Sequence, residues 1–152
     1  AQDVDLDYQQ LIARSIKVKA DVVSKDFKES KLREILNYGH TLGHAIEKYS
    51  GYKLRHGEAV SIGMVFAAEL SKQLAGLSDD AVLLHRELLR NFDLPISYPG
   101  NKFKSLLTLL ASDKKVKNSK LRFIGISKIE KPVWFDDVSP STLSKVYERI
   151  AK

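Results

Sequence analysis

Residues 37–64 read NYGHTLGHAIEKYSGYKLRHGEAVSIGM and join two predicted helices. The helix on the N-terminal side is predicted from about Leu32 to Ser50, where Gly51 stops it. The next helix is predicted from about Gly57 to Ala75 and is again followed by a glycine. Its side chains are apolar on nearly every side, so we expect it to lie buried at the centre of the fold.

The helix predicted from Leu32 to Ser50 has two different faces. At about 100° per residue, four polar side chains lie within roughly 40° of one line: Arg33, Asn37, His40 and His44. The opposite face carries the apolar side chains Ile35, Tyr38, Leu42, Ile46 and Tyr49. Gly39 and Gly43 each cost such a helix about 1 kcal/mol relative to alanine. Two glycines four residues apart therefore predict the close approach of another backbone or of a ligand.

Histidines cluster in this stretch, since His40, His44 and His56 are three of only four in the chain. His56 immediately precedes the helix predicted from Gly57, so it can face His40 and His44 across the turn. The chain has no cysteine, and imidazole nitrogens with a carboxylate would suit zinc or a similar divalent ion. The alternative is a set of surface and capping histidines, and His85, which sits apart, is interpreted as a surface or boundary residue. Thr41-Leu42-Gly43 lacks the glutamate of a zinc-protease helix, so protease chemistry is not expected.

The remaining segments predict more helices and one pair of strands. A first helix, capped by Asp5 or Asp7, runs to about Val23 and is followed by a polar turn over residues 24–30. Further helices are predicted from a Ser78 cap to about Phe92, from Phe103 to about Ser112, and from a Ser139-Pro140 start to Ile150. A loop over residues 113–118 leads to a strand at 121–126, which pairs with residues 133–135. The predicted architecture is mainly α, a single multi-helix domain over residues 1–152 with a small strand pair.

Composition narrows the possible partners. The chain has 152 residues and a formal net charge of +6, which fits either nucleic acid or a small anionic, phosphorylated substrate. Lysines and arginines are scattered and the aromatic residues look like core residues, so the small anion is favoured and nucleic acid is not expected. No apolar stretch is long enough for a membrane span and the start is no signal peptide, so we expect a cytoplasmic protein without a membrane partner.

Four motifs carry a resemblance to a known family. Residues 37–47 (NYGHTLGHAIE) and 55–64 (RHGEAVSIGM) strongly resemble the 3-dehydroquinate synthases. The approach at residues 17–23 and the later Asp113-Lys114-Lys115, followed by Arg122-Phe123, match further landmarks of that family. The resemblance covers essentially the whole chain, and it implies the helical C-terminal domain of the dehydroquinate synthase-like fold.

The resemblance implies an activity and its cofactors. It implies a lyase of the shikimate pathway of aromatic amino acid biosynthesis that converts 3-deoxy-arabino-heptulosonate 7-phosphate to 3-dehydroquinate and releases phosphate. It also implies NAD, bound mainly by an N-terminal domain absent from this chain, and a divalent metal, zinc or cobalt. The full-length enzyme is expected to be a homodimer. We expect these 152 residues alone to show no synthase activity.

The resemblance also assigns residues to roles. His40 and His56 are implied as metal ligands, and the family's third ligand, a glutamate, has no counterpart before Lys19. Spacing alone would make His40 and His44 joint ligands, but the resemblance gives His44 to the substrate phosphate. The other residues implied to hold the substrate's carboxylate, hydroxyls and phosphate are Lys19, Glu29, Arg33, Asn37 and one of Lys114 and Lys115. Glu47 and Glu58 are interpreted as structural. Lys31 stands where the family commonly has glycine, which leaves the conformation of this turn open.

Three alternatives to this function stay open. One is a related sugar-phosphate cyclase acting on another substrate. Another is an iron-type alcohol or glycerol dehydrogenase, although Lys19, Arg33 and Asn37 form an anion cradle that a simple alcohol does not need. The third is a basic helical module that binds nucleic acid or protein and uses its histidines structurally.

Overall fold

A computed structural model of the chain describes residues 7–26, 31–117 and 121–152. Contacts group the chain into two units, Ala1–Leu36 and Asn37–Lys152. The helices in these described ranges are α1 (Tyr8–Lys25), α2 (His40–Tyr49), α3 (His56–Ala75), α4 (Asp79–Asn91), α5 (Phe103–Lys117) and α6 (Pro140–Glu148). The strands are β1 (Arg122–Lys128) and β2 (Lys131–Asp136). The prediction of a mainly helical fold with one strand pair is confirmed.

The helix α1 starts at a side-chain cap. Asp7 accepts a hydrogen bond from the backbone N–H of Gln10 at 3.0 Å, which satisfies one of the unpaired N–H groups of the first turn. Its apolar side chains Ile12 and Ile16 are exposed, and Val22 is its buried residue. The buried carboxylate of Asp26 follows the helix and accepts the backbone N–H of Arg33 at 2.8 Å.

The continuous helix predicted from Leu32 to Ser50 is wrong. A 3-10 helix covers Lys31–Asn37, a turn follows, and α2 begins only at His40. The break lies at Gly39, whose φ of +80° belongs to the left-handed region that glycine adopts most readily. Because the two segments are not one helix, the single polar face predicted for Arg33, Asn37, His40 and His44 does not exist. His40 and His44 still share one face of α2, one turn apart.

The close approach predicted from the glycines is confirmed, and the partner is the backbone of α3. A Cβ built on Gly43 would lie 3.0 Å from the Cα of Val60. A Cβ on Gly63 would collide with the carbonyl oxygen of Gly39. The two helices therefore pack almost backbone to backbone, which fixes His40 and His44 relative to the start of α3.

The central position predicted for α3 is also confirmed. Eleven of its residues are buried, among them Ile62, Val65 and Phe66. The helix packs against α2, α4, α6 and β1. Burying a side chain such as Phe66 contributes about 2 kcal/mol, so α3 supplies much of the hydrophobic core.

The strands pair as predicted and pack against α3. They are antiparallel, with Phe123 opposite Phe135 and Ile124 opposite Trp134. The ring of Phe123 lies 5.7 Å from that of Phe66, centroid to centroid. The backbone N–H of Ile126 donates to Ser71 Oγ at 3.0 Å, so the edge of β1 is also bonded to α3.

The later helices begin as predicted, but α5 ends later. Ser78 and Ser139 cap α4 and α6 through hydrogen bonds from backbone N–H groups. The predicted end of α5 at Ser112 is wrong, since the helix continues to Lys117. Residues 113–117 contain neither glycine nor proline, and lysine is a good helix former, so nothing local interrupts the helix. Asn118, the last residue of the predicted loop, lies outside the described residues.

An ion-pair network in the second unit joins α3, α4 and the turn that follows α6. The carboxylate of Glu69 in α3 lies 2.8 Å from the guanidinium of Arg86 in α4 and 3.6 Å from that of Arg149 beyond α6. Glu69 is 7% exposed, so this buried carboxylate keeps its charge compensated by two arginines that remain partly exposed to solvent. Across the described part of the chain, none of the helices combines the length and the hydropathy needed to cross a membrane.

Candidate metal centre

Three histidine side chains converge where α2 meets the start of α3. His40 is the first residue of α2, His44 follows one turn later, and His56 is the first residue of α3. Each offers one imidazole nitrogen, and these atoms all lie within 4.8 Å of one another. Ring centroids are 5.3 Å apart for His40 with His44 and with His56, and 5.7 Å for His44 with His56. The predicted meeting of the three histidines across the turn is confirmed.

The backbone orients the ring of His40. Its Nδ1 lies 3.1 Å from the carbonyl oxygen of Tyr38. A carbonyl oxygen can only accept a hydrogen bond, so Nδ1 carries the proton and the lone pair is on Nε2. The half-buried His40 thus keeps one nitrogen available as a ligand.

The ring of His56 lies against a carboxylate from α2. Its Nδ1 is 3.3 Å from Oε2 of Glu47, and its side chain is about half exposed. Glu58, two residues after His56, has a different partner, Arg55. Its carboxylate accepts a hydrogen bond from the backbone N–H of Arg55 at 2.7 Å and forms an ion pair with the guanidinium of the same residue. These bonds from Arg55 hold the pKa of the Glu58 carboxyl below its ordinary value. The structural role predicted for Glu58, stabilising the first turn of a helix, is confirmed.

The donor set fits a divalent transition metal. Three imidazoles from two closely packed helices match the ligand chemistry of zinc and cobalt. Catalytic zinc sites commonly take three protein ligands and leave a position for water or substrate. The three ring separations are similar, so the assignment of His44 to a phosphate rather than to the metal rests on the family resemblance.

The other predicted site residues are distributed along the chain. Lys19 is exposed on α1, and Arg33 is exposed in the 3-10 helix of the same unit. Asn37 ends that 3-10 helix and is exposed. Lys114 and Lys115 belong to the last turns of α5 rather than to a loop. Glu29 lies outside the described residues.

The sequence did not reveal a contact between Tyr38 and His85. The Tyr38 hydroxyl lies 3.1 Å from Nε2 of His85, while Nδ1 of His85 lies 2.6 Å from the carbonyl oxygen of Ala81. Nδ1 therefore donates to that carbonyl, and Nε2 accepts from Tyr38. Burial raises the pKa of Tyr38 above its ordinary value. This hydrogen bond holds the turn that precedes His40. It could not be predicted from the sequence, because Tyr38 and His85 lie far apart in the chain.

Known proteins resemble this chain in sequence. Residues 2–116 match the family model described as 3-dehydroquinate synthase C-terminal. A 3-dehydroquinate synthase of Corynebacterium jeikeium is 49% identical over 138 residues, which are 91% of this chain and 38% of that protein. One of Paenarthrobacter aurescens is 50% identical over 143 residues, or 94% of this chain and 39% of that protein. The chain thus spans about two-fifths of the length of these relatives.

Solved structures share the fold. A 2-epi-5-epi-valiolone synthase from Streptomyces hygroscopicus, with NAD+ and Zn2+ bound, superimposes with a TM-score of 0.81 at 20% identity, over 93% of this chain and 39% of that one. A 2-deoxy-scyllo-inosose synthase, complexed with carbaglucose-6-phosphate, NAD+ and Co2+, gives a TM-score of 0.76 at 28% identity, over 93% and 40%. With the histidine motifs and the family model in agreement, the chain belongs to the 3-dehydroquinate synthase C-terminal family.

Proposed function

We propose that this chain is the metal- and substrate-binding part of a 3-dehydroquinate synthase, a phosphate-eliminating lyase of the shikimate pathway. The observation that carries the proposal is the convergence of His40, His44 and His56, whose ligand atoms lie within 4.8 Å of one another. The substrate is 3-deoxy-arabino-heptulosonate 7-phosphate, and the product is 3-dehydroquinate. Support comes from relatives of that name at about one half identity over more than nine-tenths of the chain.

His40 and His56 would hold the metal, and the remaining site residues would hold the substrate. A zinc or cobalt ion held there would supply Lewis-acid chemistry to adjacent substrate hydroxyls, and NAD would supply hydride-transfer chemistry. His44 and a lysine of the pair Lys114 and Lys115 neutralise the phosphate. The other proposed contacts orient the substrate's carboxylate and hydroxyls: Lys19, Glu29, Arg33 and Asn37. These roles come from the family resemblance.

The remaining features of the enzyme belong to the same proposal. NAD would be bound mainly by a further domain, and the full-length enzyme would be a cytoplasmic homodimer. A 2-deoxy-scyllo-inosose synthase of the same fold is complexed with carbaglucose-6-phosphate, NAD+ and Co2+, which supports a phosphorylated polyol as the substrate class. At 28% identity that synthase is a more distant relative than the 3-dehydroquinate synthases, so these are preferred over another sugar-phosphate cyclase.

Metal binding tests the proposed ligands. Zn2+ titrated calorimetrically into the chain should bind, and His40→Ala or His56→Ala should each weaken its affinity by more than about 100-fold, because each removes a direct ligand. His44→Ala should change it by less than about tenfold, since His44 is assigned to the substrate. His85→Ala is the matched control, and its affinity should equal that of the unaltered chain. Loss of binding in His44→Ala with none in His56→Ala would show the ligand assignment to be wrong.

Activity can be tested in a chimera. This chain would replace the matching segment of the Corynebacterium jeikeium relative, and phosphate release from the heptulosonate phosphate would be measured with NAD and Zn2+. We expect turnover, and we expect it to be lost in the His56→Ala chimera. A folded chimera that binds NAD and Zn2+ but releases no phosphate would contradict the proposal.

A further inference from the structure

We propose that Glu47 is a positioning residue that orients the imidazole of His56 for metal binding without contacting the metal itself. The inference rests on the proposed function, since it needs His56 to be a ligand. It replaces the purely structural interpretation of Glu47 drawn from the sequence. Glu58, the other carboxylate of this region, keeps its structural role.

The geometry places a carboxylate oxygen of Glu47 against an imidazole nitrogen of His56. Oε2 of Glu47 lies 3.3 Å from Nδ1 of His56. The Glu47 side chain is 20% exposed and that of His56 is 54% exposed. The carboxylate is therefore the more buried partner, and its contact restricts the orientation of the more exposed imidazole. Among the described residues, the group whose ligand atoms all lie within 4.8 Å comprises the three histidines and not Glu47. The carboxylate thus sits behind the ring rather than among the ligands.

The backbone of Glu47 is itself fixed. Its carbonyl oxygen accepts the backbone N–H of Tyr52 at 3.0 Å and the hydroxyl of Ser50 at 2.9 Å. Both bonds tie the end of α2 to the turn that leads to α3. The backbone of Glu47 is therefore restricted, and its side chain extends across the turn to the first residue of α3.

The contact selects the tautomer of His56. An ionised carboxylate only accepts hydrogen bonds, so Nδ1 must be the donor and the lone pair is on Nε2. His40 reaches the same state through the carbonyl oxygen of Tyr38. Both residues assigned to the metal thus have Nδ1 held by the chain and Nε2 available. A carboxylate behind a ligating imidazole also raises its basicity as a ligand.

Glu58 offers a contrast within the same turn. Its carboxylate is engaged by the backbone N–H and the guanidinium of Arg55, at 2.7 Å each. Both of these bonds go to Arg55, so this carboxylate stabilises the start of α3. Substitution of Glu58 should lower stability, whereas substitution of Glu47 should change the metal site.

The experiment uses the 152-residue chain with Zn2+ and Co2+ as probes. Glu47→Ala should weaken Zn2+ affinity by about 10- to 100-fold. Glu47→Gln keeps an acceptor oxygen for Nδ1, so it should retain most of the affinity and lose less than about tenfold. The absorption spectrum of bound Co2+ should shift in Glu47→Ala and stay close to that of the unaltered chain in Glu47→Gln. The thermal midpoint of the metal-free protein should be nearly the same for all three, which a merely structural role would not allow.

Glu87→Ala is the matched control, because Glu87 is an exposed glutamate on α4. An affinity loss in this control equal to that in Glu47→Ala would overturn the inference. So would unchanged affinity in Glu47→Ala while His56→Ala loses binding, and the proposed function would then stand alone. A loss in Glu47→Ala as complete as in His56→Ala would make the carboxylate a direct ligand and overturn the positioning role. Failure of both the unaltered chain and the Corynebacterium jeikeium chimera to bind Zn2+ would overturn both proposals.

Discussion

Tyr147 is a large buried residue whose hydroxyl is tied to a loop. The residue is 1% exposed, its hydroxyl donates to the carbonyl oxygen of Pro99 at 3.0 Å, and its ring lies 4.9 Å from that of Phe103. Burial, with smaller contributions from Tyr98 and Tyr49, raises the pKa of Tyr147 above its ordinary value. The neutral phenol is thus the form that the folded chain stabilises.

This predicts a loss of stability in alkali. The unfolded chain releases the phenol proton near pH 10, whereas the folded chain keeps it to higher pH. The stabilisation is therefore complete below about pH 10 and is lost as the pH rises from there towards the folded pKa. Tyr147→Phe should lower the free energy of unfolding at pH 8 by about 1 kcal/mol, through the lost hydrogen bond, and should flatten its decline between pH 9 and 11.

Urea unfolding at several pH values measures this effect. Tyr52→Phe is the control, because Tyr52 is 74% exposed and its substitution should leave the pH profile unchanged. If Tyr147→Phe declined as steeply in alkali as the unaltered chain, the buried phenol would not be responsible.

At the scale of single residues, the sequence predicted the ligand candidates but not their supports. His40, His44 and His56 lie close together in the chain, so helical periodicity and a short turn were enough to bring them together. The bond between Tyr38 and His85 depends on how α4 packs, which no local pattern encodes. The contact from Glu47 to His56 depends on the geometry of the turn, and a carboxylate near a helix end has a simpler interpretation.

At the scale of elements, the packing of α2 on α3 depends on glycine. Gly39 and Gly43 on one side and Gly63 on the other let the two backbones approach closely. The sequence predicted this approach but not the helix break at Gly39, because the apolar periodicity runs on through the turn. The left-handed conformation of Gly39 is set by tertiary packing against α3, which overrides the local helical pattern.

Two glycines of α3 provide a matched pair of substitutions. Gly63→Ala should lower the free energy of unfolding by about 3 kcal/mol, since the added methyl meets the Gly39 carbonyl and the helices must separate. Gly57→Ala should leave it unchanged or raise it by up to about 1 kcal/mol, because a Cβ at Gly57 meets nothing within 4 Å.

Urea unfolding of the two variants tests the glycine contact. Zn2+ affinity should fall in Gly63→Ala as well, because the contact fixes His40 relative to His56. Equal stability of the two variants would contradict the contact described between α2 and α3.

At the scale of the whole molecule, the net charge of +6 is the feature most open to another interpretation. A basic helical module would bind nucleic acid through its phosphates, with strong dependence on salt. The proposed enzyme would instead use its cations for a small phosphorylated substrate. Fold class and family could be predicted from the sequence, because long motifs and buried periodicity are local signals. The end of α5 was predicted too early, because the polar residues 113–117 look like a loop although their helix propensity allows the helix to continue.

A binding experiment separates the two classes. At about 150 mM salt we expect duplex DNA to bind more weakly than about 10 μM, within the non-specific range, and not to compete with Zn2+. Fluorescence anisotropy with a labelled duplex measures this. Tighter, steeply salt-dependent DNA binding by a chain without Zn2+ affinity would favour the nucleic-acid module.

Residues 50–55 are all of the chain that separates α2 from α3. Closing so short a turn costs little entropy, and contacts between segments near in sequence form faster than those between distant ones. The strand pair reaches α3 from residues 122–136, so we expect it to dock at a later stage of folding. We therefore expect the histidine cluster to form early, and its residues precede the strands along the chain. A metal ion present at that stage would meet its ligands before the protein is fully folded, and its binding would help to commit the chain to the native arrangement of α2 and α3.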